Sequence, residues 1–235
     1  MREAPGAFHS VRLVVRAWVD HDAMLAGFAR FLENPGVTAF VERARAEPPR
    51  GVEEEERRVW LQLPDAVREE LYEEGGLIET SGRHGGVRWG SGGSRSEVMA
   101  HQAGTAIAGI GPRTSSPAPL VLAVLLHPMA CELLQPSDLL DMLTFEEVGR
   151  GTLLGRGTIE AVARWTDWRT IDPFSYENFP IAEEYRLVVD AERGILLRVS
   201  CRTDEVEFAT TEVLDVAFDE RFDDRIFAPE KDPAR

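Results

Sequence analysis

The sequence YRLVVDAERGILLRVSCRTDEVEFATTEVLDVAF, residues 185–218, decides the fold class. Apolar and polar side chains alternate along three runs of it, and this two-residue period is typical of strands that bury one face. The three predicted strands are 185–189, 195–201 and 206–218. Because only short turns separate them, they predict an antiparallel meander. In the third run the apolar parity changes, which predicts a β-bulge near Glu212.

The same alternation continues through most of the chain toward the N-terminus. It predicts strands at 11–19, 57–63, 67–72, 77–81, 87–90, 95–101, 145–150 and 158–168. The glycines at 149–155, between the last two strands, resemble a dinucleotide-binding fingerprint. Their spacing differs and no helix follows them, so we predict a turn there.

Helical periodicity is confined to a few segments. It predicts helices at 22–32, 38–46 and 120–134, and a short helix that begins at Ser137 or Asp138 as cap and ends near Leu143. Asp22 is the predicted cap of the first helix, and Asn34-Pro35-Gly36 is predicted to end it. The glutamate run at 53–56 is interpreted as a solvated connection, and segment 103–119 as a loop or a lid.

The chain has 235 residues and a net charge of −15, from 26 basic and 41 acidic side chains. Its length and apolar content are those of one globular domain, residues 1–235, or at most of two small ones. The acidic balance argues against nucleic acid as a partner, because phosphate binders display a concentrated basic surface. The N-terminus lacks the apolar run of a secretory signal, and the longest apolar stretch is shorter than the roughly 20 residues that span a bilayer. We therefore expect a cytoplasmic protein that does not span a membrane.

The sequence has no strong motif for catalysis or metal binding. The sequence has no phosphate-binding loop, no nucleophile elbow and no two-histidine metal motif, so we expect no metal and no cofactor. Glu97 and His101, four residues apart on a predicted strand, would share a face and could act as a base and its orienting partner. The alternative is a solvated strand face. Cys131 and Cys201 are expected to be small core residues.

Tryptophan side chains fall on or beside several predicted strands. Together with aliphatic side chains they could form the walls of an apolar cavity, and the alternative is ordinary packing on the sheet. A strongly curved sheet favours the cavity, because its concave side must be filled. The predicted lining residues are Trp60, Trp89, Leu122, Leu126, Trp165, Leu187 and Leu197.

Several segments resemble the LolA/LolB-like lipoprotein-carrier superfamily, which includes the sensor RseB, and in particular the LolA-like proteins of high-GC bacteria. The segments are RVWLQLPDAVREE at 58–70, LLQPSDLL at 133–140, YRLVVDAERGILLR at 185–198, EVLDVAFDE at 212–220 and DRIF at 224–227. The resemblance covers residues 57–229 and leaves 1–56 as an N-terminal extension with a strand and helices.

The resemblance implies an α+β fold, in which a strongly curved antiparallel β half-barrel carries helices on its concave face around an apolar cavity. It brings no catalytic residues with it. The expected function is that of a cytosolic module that binds a hydrophobic small molecule or lipid, with residues 103–134 as the lid. Two alternatives stay open: a regulatory module of the RseB type that binds a protein partner, and an enzyme recruited to act on a hydrophobic biosynthetic intermediate.

Overall fold

The computed structural model describes residues 8–46, 51–92, 95–97, 126–167, 169 and 179–229. Its strands are β1 (Ser10–Asp20), β2 (Val52–Gln62), β3 (Ala66–Glu73), β4 (Gly76–His84), β5 (Val87–Gly92), β6 (Arg95–Glu97), β7 (Leu143–Leu153), β8 (Arg156–Trp165), β9 (Glu184–Asp190), β10 (Leu196–Thr203) and β11 (Val206–Phe218). Its helices are α1 (His21–Phe28), α2 (Pro35–Ala46), α3 (Pro128–Leu134) and α4 (Ser137–Asp141), with 3-10 turns at Ala29–Phe31 and Asp224–Phe227. None of the helices described has the length and hydropathy needed to cross a bilayer.

The described strands form one sheet in the order β6-β5-β4-β3-β2-β1-β11-β10-β9-β8-β7. Apart from β6 and β7, which lie at the two ends, strands that follow one another in sequence are neighbours in the sheet, and β1 also lies beside β11. The pairs with a defined register are all antiparallel. The predicted antiparallel sheet with few helices is therefore confirmed. Strand β1, part of the predicted N-terminal extension, lies between β2 and β11.

The chain divides into two compact units. Unit 1 contains the described residues within 15–55 and 132–214, and unit 2 contains those within 7–14, 56–131 and 215–235. Strands β7 to β10 and helices α1, α2 and α4 belong to unit 1, whereas β3 to β6 and the C-terminal 3-10 turn belong to unit 2.

The helix starts of unit 1 differ from those predicted. The Asp20 carboxylate accepts a hydrogen bond from the Ala23 backbone N–H at 3.0 Å, so Asp20 caps α1 and the prediction of Asp22 is wrong. The Asn34 side chain accepts from the backbone N–H groups of Gly36 and Val37, at 2.9 and 3.3 Å. Asn-Pro-Gly therefore begins α2 instead of only ending a helix, because proline fits the first helical position.

Helix α4 also lacks the predicted cap. Its N-terminal flanking residue is Pro136, which has no side-chain hydrogen bond, so neither Ser137 nor Asp138 caps it. Helix α1 approaches the sheet closely at Gly27, where an added Cβ would lie 3.1 Å from Thr203 Oγ1 of β10. A larger residue at Gly27 would push this helix away from the sheet.

The glutamates at 53–56 lie in strand β2, so the predicted connection is wrong, whereas Glu53 and Glu54 are solvent-exposed as predicted. Within unit 1, Glu53 Oε2 lies 2.9 Å from His21 Nε2, and Glu54 Oε1 lies 4.0 Å from Arg16 Nη1. Residues of β1 and the start of α1 thus face the acidic run with basic groups. The charge pattern of one strand does not predict which residues of neighbouring elements will face it.

Two irregularities lie elsewhere than predicted. Gly149 and Gly151 are part of β7, and the turn that follows is confined to Leu154 and Gly155. The register of β10 with β11 shifts between Cys201 and Arg202, which leaves Phe208 as the extra residue of the bulge. The predicted bulge at Glu212 is wrong, since that residue pairs in regular register with Arg198.

In unit 2 the C-terminal 3-10 turn packs on one face of β3 to β5. The Trp89 indole Nε1 donates a hydrogen bond to the Phe227 carbonyl at 2.9 Å, and both side chains are buried. Gly82, the cross-strand partner of Trp89, makes room for the indole, because an added Cβ would lie 2.4 Å from its Cζ2 atom. The segment DRIF therefore closes a face of the unit rather than forming a tail.

Candidate functional site

Two rows of largely apolar side chains cross one face of β7 to β10 in unit 1. Directly paired residues of antiparallel strands point to the same face, so the register defines rows of side chains that cross the strands. One row is Val199, Leu187, Ala161 and Val148, from β10 to β7. The next is Cys201, Tyr185, Ala163 and Phe145. We call this side of the four strands the covered face.

Burial falls steeply along both rows toward β7. Leu187 and Tyr185 are fully buried, whereas Phe145 is 43% exposed and Val148 is 68% exposed. Between them, β8 presents only the small side chains of Ala161 and Ala163. We call Phe145 and Val148 the apolar margin. An apolar surface that continues from the core into solvent is the kind that marks a binding site.

The buried hydroxyl of Tyr185, beside Ala161 and Ala163 on the covered face, is held by three hydrogen bonds. Tyr185 Oη accepts hydrogen bonds from Trp165 Nε1 at 2.6 Å and from the Ala182 N–H at 2.8 Å, and donates to the Pro180 carbonyl at 2.7 Å. The Trp165 and Tyr185 rings meet edge to face, with centroids 5.6 Å apart. Burial raises the pKa of the Tyr185 hydroxyl well above its usual value. The group therefore stays protonated and acts as a structural anchor.

The opposite face of the same strands is polar. A cleft of about 510 Å³ lies there, and its lining comprises Glu160, Val162, Arg186, Val188, Arg198, Ser200 and Glu207 together with Val148, Gly149, Ala161 and Leu187 of the same strands. Arg186 Nε is 3.1 Å from a Glu184 carboxylate oxygen, and Arg198 Nη2 is 3.4 Å from Glu207 Oε1. Because these charges neutralise one another, the cleft is a poorer place for an acyl chain than the apolar margin.

A smaller cavity of about 340 Å³ lies in unit 2. It is lined by His9, Ser10, Gln62, Leu63, Asp219, Glu220 and Arg221. Hydrogen bonds within the unit already engage much of this lining, since the His9 backbone N–H donates to Asp219 at 2.8 Å and the Ser10 hydroxyl donates to the Glu220 carbonyl at 2.6 Å. We assign this cavity no ligand.

The predicted cavity residues divide between the two units. Trp165, Leu187 and Leu197 are buried in unit 1, and Trp165 and Leu187 lie on the covered face. Trp60, Trp89 and Leu126 lie in unit 2. The structure therefore places two of the six described candidates on the covered face that carries the apolar margin. Leu122 and His101 lie outside the described residues, as does the side chain of Glu97, whose backbone is in β6.

Within unit 2, Trp89 and Leu126 adjoin opposite faces of β3. The Arg68 guanidinium lies 5.7 Å from the Trp89 ring centroid. The next residue, Glu69, accepts a hydrogen bond at 2.8 Å from the backbone N–H of His127, which directly follows Leu126. Because consecutive strand residues point to opposite faces, these two candidates do not share a wall formed by β3.

The residues that sequence reasoning missed are Phe145, Val148, Ala161 and Ala163. The alternation of apolar residues at 159–165 correctly indicated strand β8. It did not indicate that the small side chains of Ala161 and Ala163 would leave space between larger neighbours. The exposure of β7 could not be read from its sequence. It follows from the position of β7 at the end of the described strand order, which depends on long-range pairing.

The described side chains show little reactive chemistry. Among the residues that the structure covers, no group of three or more His, Cys, Asp and Glu side chains could hold a metal ion. Burial raises the pKa of the Cys201 thiol, so this cysteine is a core residue in β10, as expected. Cys131 is only half-buried, with Sγ 3.8 Å from the Leu126 carbonyl oxygen.

Comparisons with known proteins agree with the resemblance noted in the sequence. No family model and no curated protein matches the chain. Among solved structures it is similar to MucB of Pseudomonas aeruginosa in complex with MucA, at 13% identity over 94% of this chain and 56% of that chain, with a TM-score of 0.44. The chain thus spans about half the length of the MucB structures it matches.

Two further solved structures match over most of both chains. The lipoprotein LppX of Mycobacterium tuberculosis matches at 10% identity over 92% of this chain and 90% of that chain, with a TM-score of 0.44. A LolA superfamily protein of Nitrosomonas europaea matches at 8% identity over 97% and 94%, with a TM-score of 0.35. The superfamily that the sequence resembles is therefore among the matches. With TM-scores below 0.5, these similarities carry no conclusion about function.

Proposed function

We propose that the protein is a binding module that holds a hydrophobic ligand, such as a lipid acyl chain, on the covered face of β7 to β10. The observation that carries the proposal is the exposure of Phe145 and Val148 at the end of two rows whose members on β8 to β10 are buried. A ligand lying along β8 would rest on Ala161 and Ala163 and cover the apolar margin. It would thereby replace water on apolar surface that the folded chain leaves open.

The energetics of such a ligand are favourable without any polar contact. Burial of each methylene contributes about 0.8 kcal/mol, so a segment of roughly ten methylenes contributes on the order of 8 kcal/mol before the entropic cost of binding. The neighbouring Tyr185 hydroxyl has three hydrogen-bond partners and presents no unsatisfied group to an apolar ligand. Specific polar recognition is therefore not required.

The proposal includes two expectations from the sequence. The sheet would curve as a half-barrel around the ligand, and residues 103–134 would form the lid. Of that segment the structure describes 126–134, in which Leu126, Leu133 and Leu134 are buried. Apolar side chains at its described end are what a segment packed on an apolar site requires.

The test measures ligand capture by the full chain. The protein is purified without detergent and examined by native mass spectrometry, then titrated with oleate against the fluorescent probe 1-anilinonaphthalene-8-sulfonate. We expect copurified ligand or displacement of the probe by oleate. Phe145→Ser should weaken oleate binding roughly ten-fold, because an apolar contact worth about 1.5 kcal/mol is lost.

Ile78→Ser in unit 2 is the matched control, since Ile78 is 45% exposed and Phe145 is 43% exposed. This variant should bind oleate as the unaltered chain does. Ligand-free spectra together with no response to oleate would reject the proposed function. Equal effects of the two substitutions would reject the assigned site.

A further inference from the structure

A charged residue lies next to the apolar margin on the covered face. The register of β7 with β8 pairs Val148 with Ala161 and Arg150 with Ile159. Directly paired residues share a face, and every second residue of a strand points the same way, so Arg150 belongs to the covered face. It lies one row beyond Val148, about 7 Å along the strand. Its side chain is exposed, as is that of Val148.

Polarity on the covered face therefore increases in one direction along β7. Leu143 is buried at the start of the strand, where it pairs with the buried Trp165 of β8. Phe145 and Val148 follow and are increasingly exposed, and Arg150 comes next and carries a positive charge. This strip is apolar and closed to solvent at one end and open and cationic at the other. A molecule with the same order of groups has an apolar tail and a charged head.

The chemistry of arginine selects the sign of that head group. The planar guanidinium forms paired hydrogen bonds with a carboxylate or a phosphate, and its aliphatic stem can lie on apolar surface while the charge stays in water. The carboxylate of Glu146 is engaged elsewhere, because its Oε1 lies 2.7 Å from Nε of Arg164. Arg164 lies between Ala163 and Trp165 in β8 and thus on the opposite face. This ion pair does not neutralise Arg150.

The charge of the whole chain favours the opposite sign. With a net charge of −15, the field of the protein attracts cationic amphiphiles and disfavours anionic ones. A preference for an anionic head group must therefore come from a local positive charge. Arg150 supplies such a charge at the open end of the strip.

We propose that the ligand is an amphiphile with an anionic head group, a carboxylate or a phosphate, which binds with its head at Arg150 and its tail along β8 toward Trp165. This inference rests on the proposed function and adds the class of ligand and its direction. The tail passes Ile159, Ala161 and Ala163, and this stretch of β8 is about 20 Å long. The site therefore suits a long acyl chain better than a short one.

Ligands that share a tail and differ in the head group test the proposal. The full chain is loaded with the uncharged fluorescent probe N-phenyl-1-naphthylamine, which is then displaced by laurate, dodecyl phosphate, 1-dodecanol or dodecyltrimethylammonium. We expect laurate and dodecyl phosphate to bind more tightly than dodecyltrimethylammonium, against the net charge of the protein. Added salt should weaken binding of the two anions and not of 1-dodecanol, because salt screens an exposed ion pair. The tighter of the two anions identifies the head group as carboxylate or phosphate.

Substitutions separate the head from the tail. Arg150→Gln should lower the affinity for both anions about ten-fold and leave that for 1-dodecanol unchanged, because it removes only the charged contact. Arg150→Lys, which keeps the charge without the planar fork, should lose less. Arg221→Gln is the matched control, since Arg221 is an exposed arginine of unit 2, and it should alter none of these affinities. Phe145→Ser should weaken laurate and 1-dodecanol alike, because it removes a contact with the shared tail.

The outcomes distinguish this inference from the function on which it rests. If Arg150→Gln changes laurate and 1-dodecanol binding equally while Phe145→Ser weakens both, the apolar site stands and the head-group assignment is wrong. An equal loss of laurate binding in Arg221→Gln, or tighter binding of dodecyltrimethylammonium than of laurate, would also overturn the assignment. If none of the four ligands binds, the proposed function and this inference both fail.

Discussion

The covered face of unit 1 and the face of unit 2 beneath the C-terminal 3-10 turn bury polar groups of different kinds. In unit 1, the covered face of β8 to β10 buries a neutral hydroxyl, that of Tyr185, with three hydrogen-bond partners. In unit 2, β3 buries an ion pair, in which Arg68 Nη2 lies 2.7 Å from Glu70 Oε1 and both side chains are about nine-tenths buried. Arg68 also donates to the Ile226 carbonyl at 3.2 Å.

The difference indicates which unit suits an apolar ligand. A buried charge is costly unless it is paired and hydrogen-bonded, so unit 2 must keep Arg68, Glu70 and the C-terminal turn together. Unit 1 has no such constraint on its covered face, where apolar side chains reach solvent at the apolar margin. We therefore place the proposed ligand on unit 1, and we expect the polar contacts of unit 2 to have a structural role.

The largest effect is expected from breaking the ion pair of unit 2. Arg68→Leu leaves the buried Glu70 carboxylate without its cationic partner and should lower the free energy of unfolding by about 3–5 kcal/mol, measured by urea denaturation. The double variant Arg68→Leu with Glu70→Leu should recover part of this loss, because it removes the stranded charge. A double variant no more stable than Arg68→Leu alone would show that the charge left on Glu70 does not cause the loss of stability.

A smaller loss is expected from the hydroxyl of unit 1. Tyr185→Phe leaves the Trp165 Nε1–H, the Ala182 N–H and the Pro180 carbonyl without their partner and should cost about 2–4 kcal/mol in the same assay. Tyr72→Phe in unit 2 is the control, since that hydroxyl is half-buried and has one partner, Glu70 at 2.8 Å. It should cost roughly 0.5–1.5 kcal/mol. Equal costs would contradict the anchoring role of Tyr185.

The smallest effect concerns pH. Burial raises the pKa of Glu69 above its usual 4.5, so the folded state holds this proton more tightly than the unfolded state. The contribution of Glu69 to stability is therefore fully present below pH 4.5 and is lost as the pH rises through the folded-state pKa. Glu69→Gln, which keeps an acceptor for the His127 N–H, should change less in stability between pH 4.5 and 7 than the unaltered chain.

In unit 1, the contribution of Asp190 to stability depends on pH in the opposite direction. Asp190 accepts hydrogen bonds from the backbone N–H groups of Glu192 and Arg193, at 2.8 and 2.9 Å, and pairs with Arg156. Burial opposes these contacts, but together they lower the pKa of Asp190 below its usual 3.8. Its contribution is present above pH 3.8 and is lost as the pH falls through the lowered value.

If Glu69→Gln and the unaltered chain give identical profiles of stability against pH, the assignment to Glu69 is wrong.

Much of the sheet could be predicted because alternation is a local signal. The strands at 185–189, 195–201 and 206–218 correspond closely to β9, β10 and β11, and the turn DAERG is held by the Asp190 side chain that the sequence places there. The run of charged residues at 53–56, by contrast, led to a wrong prediction. The glutamates at 53–56 were assigned to a connection because their neighbours on β1 and α1 are far away in sequence.

The candidate site was only partly predictable. Trp165 and Leu187 were recognised as apolar residues on strands, and they lie on the covered face. The apolar margin was missed because the exposure of Phe145 and Val148 depends on which strand ends the sheet. Curvature of the sheet and the lid remain predictions, since neither follows from strand register alone.

Photolabelling tests the central claim most directly. The full chain would be irradiated with a diazirine-bearing palmitate, digested, and mapped by mass spectrometry, with excess oleate as competitor. The account predicts that oleate-sensitive labels concentrate on peptides from β7 and β8, residues 143–165, around Phe145 and Ala161. Labels confined to unit 2, or labels that oleate does not reduce, would contradict it.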